Sequence, residues 1–203
     1  MPERKGRDLA FLPRGAVVLA PLSGYGDLPF RRIARRFGCT YAFAPMVDAS
    51  AIAIGSGRSE RIADRGEDEG WLGLQGVVKD PDRIARSCEK LAAMYRPDVL
   101  DLNLGCPAPK VRKKGQGAAL LTSPEAVRDC VRAMTGATGV PVTVKMRIPP
   151  GGTLEPALEI VQAAADGGAA AATVHARTPR EGYSGPVRMD VERHVVSVDG
   201  RDV

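Results

Sequence analysis

The residues best suited to chemistry in this sequence stand at the ends of short apolar runs. Gln75 closes the run LGLQ, Lys145 lies in VTVKMR, and His175 lies in TVHAR. Two further runs lead into APLSGYGD and DLNLGCP. If these runs are parallel strands, their C-terminal ends meet at one edge, which is where parallel α/β folds bind ligands. The sequence therefore predicts a ligand site along this edge.

Cys106 is the first candidate for a reactive side chain, because it follows the run Val99–Leu104 in a Gly-Cys-Pro turn. A polar or cationic neighbour could tune its thiol for proton chemistry, or the residue could be a small buried filler. Within the run, Asp101 and Asn103 alternate with leucines, so both side chains share one face of the strand. Buried there, they need hydrogen-bond partners, which either a core network or a bound polar ligand would supply.

Three other polar residues at these ends each allow two interpretations. A lysine on a buried strand is uncommon without a partner, so Lys145 could meet an anionic ligand or form an ion pair with Asp101. His175, one of only two histidines, could face the same ligand or be a hydrogen-bonded core residue. Gln75 could bind the edge of a heterocycle or cap a turn.

The segment that follows Cys106, PAPKVRKKGQGAALLT, is long, contains glycine and is basic through Lys110, Arg112, Lys113 and Lys114. It is typical of a flexible loop. The cations could simply be solvated, or they could neutralise phosphate groups without reading sequence.

Six predicted strands alternate with helical patterns along the chain. The strands are Ala16–Ala20, Tyr41–Met46, Trp71–Gln75, Val99–Leu104, Val142–Met146 and Ala171–His175. Helices are predicted to begin at Asp27, Asp80 and Ser123, and a fourth carries Ala157, Ile160, Val161 and Ala164 on one stripe. In the first helix, Phe30, Ile33, Ala34 and Phe37 share one face. The polar segment 55–70 is predicted to be a solvated loop or a short surface helix.

Strands that alternate with helices indicate an α/β fold with a parallel sheet. The sheet could be open and doubly wound, or part of a (β/α)₈ barrel. A complete barrel usually needs about 250 residues, so a chain of 203 residues would hold about six of the eight units.

The bulk composition favours a single soluble domain. Lys and Arg outnumber Asp and Glu by 29 to 24, a mild excess that is compatible with a polyanionic partner. The four cysteines are spread out and include no C-x-x-C pair, which argues against a zinc site and for reduced thiols in a cytoplasm. Cys39, Cys88 and Cys130 fall at helix-stripe or helix-end positions, which are typical of inert residues. No apolar run is long enough to span a membrane.

Taken together, the motifs resemble the FMN-dependent tRNA-dihydrouridine synthase family. The resemblance runs from APLSGYGDLPFRRIARRFG through LGLQ, DLNLGCPAPKV with GAALL, and VPVTVKMR to TVHARTPREGYSGP. It covers about Val17 to Pro186. NLGCP with its basic loop and GAALL, combined with HARTPREGYSG, is the most specific part.

The resemblance implies a (β/α)₈ barrel with FMN at its mouth, reduction of the flavin by NADPH, and uridine in tRNA as the substrate. Cys106 matches the family's proton-donating cysteine. The positions that match flavin contacts are Pro21, Leu22 and Ser23 in the first turn, and Gln75, Lys145 and His175 on later strands. Asn103 and Arg177 match positions near the uridine pocket.

The sequence departs from the family pattern after Pro186. The family continues with two more strands, whose turns bind the flavin phosphate, and then a helical domain that grips tRNA. Here VRMDVERHVVSVDGRDV follows, in which VVSVDGRDV only weakly resembles a seventh strand. We therefore expect one incomplete FMN-binding barrel domain over residues 1–203. The alternatives are another FMN-barrel oxidoreductase acting on a small pyrimidine, and an inactive remnant that binds RNA.

Overall fold

A run of parallel strands forms the centre of the protein. The computed structural model describes residues 12–13, 15–48, 51–52, 62–189, 197–198 and 201–202. The strands in chain order are β1 (Val18–Leu19), β2 (Tyr41–Ala42), β3 (Val47–Asp48), β4 (Gly73–Val77), β5 (Val99–Leu104), β6 (Val142–Arg147) and β7 (Ala171–His175). β3 to β7 form one five-stranded parallel sheet in sequence order.

The remaining two strands continue this order. β1 pairs in parallel with β2, and a single bridge from Phe43 to Gly73 links β2 to the start of β4. The predicted strand Tyr41–Met46 thus forms β2 only at its start, and β3 begins one residue beyond its predicted end. Pro45 lies between the two pieces and has no N–H to donate to a ladder, which explains the break. The six predicted strand positions are confirmed, with this one interrupted.

Four helices lie where the sequence predicts them, and two short helices lie in the segment that was predicted to be a loop. They are α1 (Leu28–Arg36), α2 (Pro81–Tyr95), α3 (Pro109–Arg112), a 3₁₀ helix (Gly117–Thr122), α4 (Pro124–Ala137) and α5 (Leu154–Asp166). Asp27 accepts a hydrogen bond from the Phe30 N–H, and Asp80 accepts from the N–H groups of Asp82 and Arg83. These carboxylates cap helix starts, as the sequence predicts.

The core lies between the sheet and the helices on its outer face. Leu100, Leu102 and Leu104 of β5 are buried there, facing the apolar stripes of α2, α4 and α5. The buried residues of those stripes include Ile84, Cys88, Leu91, Val127, Cys130, Met134, Ile160 and Val161. Each large apolar side chain buried in this way stabilises the fold by about 1.5 to 3 kcal/mol. The polar residues of the strands lie on the opposite face, away from the helices.

α1 differs from the other helices. Phe30, Ile33 and Phe37 share one face as predicted, but that face is open, with exposed fractions of 38%, 53% and 86%. The buried residue of α1 is instead Arg31. β1 stands at one end of the strand order in the described part of the chain, so the apolar stripe of the helix after it is left facing solvent.

Arg31 is buried because it forms an ion pair with Glu69. Its Nε lies 2.8 Å from Glu69 Oε1 and its Nη2 lies 2.9 Å from Oε2, and both side chains are inaccessible to solvent. Arg35 binds the same carboxylate. The prediction that segment 55–70 is a solvated loop or a short surface helix is therefore wrong at Glu69, which is buried. The prediction for residues 55–61 lies outside the described residues.

β7 is the last strand of the parallel order, at the end opposite β1. Thr173 in the middle of β7 is exposed, so the parallel sheet does not close among the described residues. Beyond it, β8 (Ser197–Val198) and β9 (Arg201–Asp202) form a short antiparallel pair. The faint seventh parallel strand is not found in the described part of this segment. No described helix is long and apolar enough to cross a membrane.

Candidate functional site

Strand register brings the polar residues of three strands side by side. In the parallel ladders Gln75 pairs with Asp101, Asp101 pairs with Thr143, and Asn103 pairs with Lys145. Paired residues of neighbouring strands point to the same face of a sheet. The face opposite the helix-covered core is therefore lined with hydrogen-bonding groups near the C-terminal ends of β4, β5 and β6.

Asp101 is the buried end of a chain of hydrogen bonds. Its carboxylate accepts from Gln75 Nε2 at 2.8 Å and from Thr143 Oγ1 at 2.6 Å. Gln75 Oε1 in turn accepts from Asn103 Nδ2 at 2.7 Å. Asn103 Oδ1 accepts from the backbone N–H groups of Gly105 at 3.1 Å and Cys106 at 2.9 Å. The predicted residues Gln75, Asn103 and Cys106 are thus joined in one network.

The backbone around Cys106 is held on every side. Besides the two N–H groups bound by Asn103, the Gly105 carbonyl accepts from Arg147 Nε at 3.1 Å, and the Cys106 carbonyl accepts from the Ala118 N–H at 3.1 Å. Gly117 has a φ of +59°, and a Cβ placed on it would lie 3.0 Å from the Cys106 carbonyl oxygen. The turn therefore needs glycine at this position.

The predicted flexible loop after Cys106 is instead largely helical, because it folds into α3 and the 3₁₀ helix. The helices form because Pro109 opens the first and the Gly115 turn (φ +71°) connects the two. The cations on this segment, Lys110, Arg112, Lys113 and Lys114, are exposed. Lys114 pairs with Asp48 at 3.1 Å. The basic side chains thus lie exposed on the segment that follows the C-terminal end of β5.

Lys145 does not form the ion pair with Asp101 that was one of the two predicted interpretations. The Asp101 carboxylate is bonded to Gln75 and Thr143, and no salt bridge or hydrogen bond to the Lys145 ammonium occurs among the described residues. Burial lowers the pKa of Lys145, while the charge of Asp101 raises it. Burial raises the pKa of Asp101 to about 6, against the hydrogen bonds and the Lys145 charge.

His175 lies in a cationic group at the end of β7. Burial, and then the charges of Arg147, Lys145 and Arg177, lower its pKa to about 4. Arg177 Nη1 lies 3.3 Å from His175 Nε2. Because the imidazole is neutral at pH 7, it can accept this hydrogen bond through Nε2. The Tyr183 ring packs at a tilt on the imidazole, with centroids 5.8 Å apart.

The turn Pro21–Ser23 lies after β1, at the same edge of the strand order. Its backbone is closed by hydrogen bonds from the N–H groups of Tyr25 and Gly26 to the Leu22 carbonyl. Leu22 and Ser23 are exposed. No hydrogen bond links this turn to the Asp101 network among the described residues, so its place in the site stays a prediction.

The other cysteines differ from Cys106 in their surroundings. Burial raises the pKa of Cys88 to about 12 and that of Cys130 to about 11, so both thiols stay protonated at neutral pH. Cys39 is half-buried, and its Sγ donates to the Tyr41 carbonyl. The prediction that Cys88 and Cys130 are core residues is confirmed.

Sequence reasoning missed Arg147, Thr143 and Tyr183. Arg147 is buried, and its Nη1 donates to the carbonyls of Thr178 at 3.3 Å and Gly182 at 2.8 Å. It also lies over the Tyr183 ring, at 5.4 Å from the centroid. One signal was present: Thr143, Lys145 and Arg147 follow one another at a spacing of two residues, which places them on one strand face.

The comparisons with known proteins concern the family of the chain. The family model described as Dihydrouridine synthase (Dus) matches residues 18–194. A probable tRNA-dihydrouridine synthase of Treponema pallidum is 33% identical over 88% of this chain and 54% of its own length. The tRNA-dihydrouridine synthase B of Vibrio cholerae is 33% identical over 86% of this chain and 54% of its own length. A probable tRNA-dihydrouridine synthase of Aquifex aeolicus is 32% identical over 91% of this chain and 60% of its own length.

The chain therefore has the parallel α/β architecture of a (β/α)₈ barrel, with six strand positions in order and the barrel not closed among the described residues. It belongs to the dihydrouridine synthase family. It spans a little over half the length of the curated relatives it matches.

Proposed function

We propose that this protein reduces uridine in tRNA to 5,6-dihydrouridine, with FMN as its cofactor and NADPH as the reductant. The observation that carries the proposal is the fixed backbone of Cys106, which is bonded to Asn103 and through it to Gln75, in a chain whose residues 18–194 match the dihydrouridine synthase model. The relatives are named for the same reaction on tRNA.

The strand-end residues fit a flavin ring. Lys145 is half-buried and its ammonium has no hydrogen-bond or ion-pair partner among the described residues, so an electron-rich, polar ligand would satisfy it. Gln75 Nε2 has a second hydrogen beyond the one given to Asp101. We assign Gln75, Lys145 and His175 to holding the ring, together with the Pro21–Ser23 turn. Reduced FMN held there would supply the hydride.

Cys106 then supplies the proton. Reduction of the C5–C6 double bond adds one hydride and one proton, so the proton donor must reach the carbon that the hydride does not. Because the backbone of Cys106 is bonded on both sides, the base has to be brought to the thiol. A stacked uracil cannot reach such a site, so the nucleotide must be flipped out, at a cost of a few kcal/mol. Asn103 and Arg177 are the polar groups that we assign to the uridine pocket.

The exposed cations on α3 support tRNA over a free pyrimidine as the substrate. Lys110, Arg112 and Lys113 stand on the segment directly after Cys106. A small substrate gives them no role, whereas phosphates beside a flipped nucleotide would meet them. Each phosphate contact contributes about one unit to the slope of log affinity against log salt.

The first test measures bound flavin. The chain is incubated with FMN, freed of excess, and denatured, and the released flavin is quantified for the wild type and for Lys145→Met. We expect close to one FMN per chain for the wild type and less for the variant. The control variant Lys90→Met removes a lysine that is bonded to the Ile52 carbonyl on the helix layer. A folded wild-type chain that releases no flavin would contradict the proposal.

The second test measures tRNA binding against salt concentration. Replacing Lys110, Arg112 and Lys113 by alanine should weaken binding and reduce the salt slope by about 2 to 3. Replacing the exposed Arg86 and Arg132 of the outer helices by alanine is the control, and should leave the slope unchanged. A slope near zero for the wild type would instead favour a small uncharged substrate.

A further inference from the structure

The two amide side chains of the network can point in only one direction. Both carboxylate oxygens of Asp101 act as acceptors, one toward Gln75 Nε2 and the other toward Thr143 Oγ1. Gln75 must therefore turn its NH₂ group toward Asp101, which leaves its oxygen facing Asn103. Asn103 then has to present its own NH₂ group to Gln75 and its oxygen to the Gly105–Cys106 turn. Reversing either amide would set two donors or two acceptors against each other.

The far end of the network imposes the same direction. The turn offers two N–H groups, of Gly105 and Cys106, and both point at Asn103 Oδ1. An Asn103 in the opposite orientation would place its NH₂ group against two donors. The whole chain of bonds from β4 and β5 to the turn is buried or nearly so, so water is poorly placed to replace a lost partner, and each unmade bond is costly.

We propose that Asp101 is a positioning residue for Cys106: as a fixed acceptor, it sets the orientation of Gln75 and Asn103, and so holds the Gly105 and Cys106 N–H groups. Among the described residues Asp101 has no hydrogen bond to the thiol or to the turn, and it acts through the two amides. The meaning of this positioning for catalysis rests on the proposed function. The physical effect on the turn does not, because it follows from the hydrogen bonds alone.

The choice of substitution separates this role from general damage to a buried polar site. Asp101→Leu removes the acceptor. Asp101→Asn keeps one oxygen for Gln75, and its NH₂ group can be accepted by the Thr143 hydroxyl after that hydroxyl rotates, so the direction survives. Thr143→Val removes the other hydrogen bond of Asp101 and leaves the bond to Gln75 in place. Only the first of these three variants should release the turn.

The experiment is amide hydrogen exchange, resolved by residue with NMR on the purified chain. In Asp101→Leu we expect the Gly105 and Cys106 amides to exchange about 10-fold faster, the factor that the loss of one ordinary hydrogen bond implies. The Leu100 amide, which donates to the Pro141 carbonyl, is the internal reference and should change little. Asp101→Asn and Thr143→Val should leave all three amides close to their wild-type rates.

Two results would overturn the proposal. One is unchanged exchange at Gly105 and Cys106 in Asp101→Leu. The other is an equal acceleration in Thr143→Val, which would mean that any loss of polarity loosens the turn. If Asp101→Leu does not fold, Asp101→Ala removes the acceptor without adding bulk, and the same two results decide. Exchange requires no FMN, tRNA or turnover, so the proposed function and this role can fail independently.

Discussion

Two neighbouring carboxylates, Glu69 and Asp68, allow a direct comparison of a buried and an exposed ion pair. Glu69 binds Arg31 and Arg35 with no exposure of its side chain, whereas Asp68 binds Arg32 across a pair that is 53% and 49% exposed. Replacing Glu69 by glutamine keeps its shape but leaves the buried Arg31 guanidinium without a counter-charge. Replacing Asp68 by asparagine removes one exposed charge.

The size of the effect follows from the pKa of Glu69. Burial alone would raise it, but hydrogen bonds from Arg31, from the Gly66 N–H and from Arg35 hold it at about 2. Relative to an ordinary value of 4.5, this corresponds to at most about 3 kcal/mol, since solvent screening lowers the figure. Removing one partner of a buried pair costs about 3 to 5 kcal/mol in other proteins. We therefore expect Glu69→Gln to lower the free energy of unfolding by about 3 kcal/mol.

The assay is urea unfolding followed by the fluorescence of Trp71, the single tryptophan. It is buried, and its carbonyl accepts from Arg35. Because the folded pKa of Glu69 is depressed, its contribution is present above pH 4.5 and is lost as the pH falls toward 2. Glu69→Gln should remove that part of the acid dependence, and Asp68→Asn should have little effect at pH 7. An equal loss of stability in both variants would refute the reasoning.

Two further predictions concern the strand-end site. Gly117→Ala should destabilise the fold by about 1 to 2 kcal/mol, because the positive φ is strained for alanine and the new Cβ meets the Cys106 carbonyl. The control Gly136→Ala, at an α4 position with open space around it, should be neutral or stabilising. Equal urea midpoints for the two variants would contradict this prediction. The His175 imidazole should titrate near pH 4 in an NMR titration, with His175→Gln identifying its signal. Since its folded pKa lies below the unfolded 6.5, stability should fall as the pH drops from 6.5 to 4, and a midpoint at or above 6.5 would show that the surrounding cations do not act on it.

The strands and most helices could be predicted because local pattern decides them. Buried parallel strands read as continuous apolar runs, and Asp80-Pro81 marks a helix start whatever lies around it. The edge on which the site lies also follows from the sequence, since parallel strands end together. The interruption at Pro45 was readable in principle, because proline lacks the N–H that a strand needs.

Partner choice could not be predicted, because it depends on residues that are distant in sequence. Arg31 and Glu69 are 38 positions apart, and a polar segment gives no local sign that one of its carboxylates is buried. Alternation showed that Asp101 and Asn103 share a face, but it could not say that Asp101 binds Gln75 and Thr143 rather than Lys145. The open face of α1 has the same origin, because an apolar stripe predicts burial only where something packs against it.

The most direct test of the proposed function is the amount of dihydrouridine formed in unmodified tRNA by the chain supplied with FMN and NADPH, measured by mass spectrometry of the digested tRNA. We expect formation by the wild type and by the control variant Cys39→Ala, and a rate at least about 100-fold lower for Cys106→Ala, the usual minimum contribution of a positioned proton donor. An equal rate for Cys106→Ala would contradict the role of Cys106. A wild-type chain that binds both flavin and tRNA yet forms no dihydrouridine would contradict the proposed function itself.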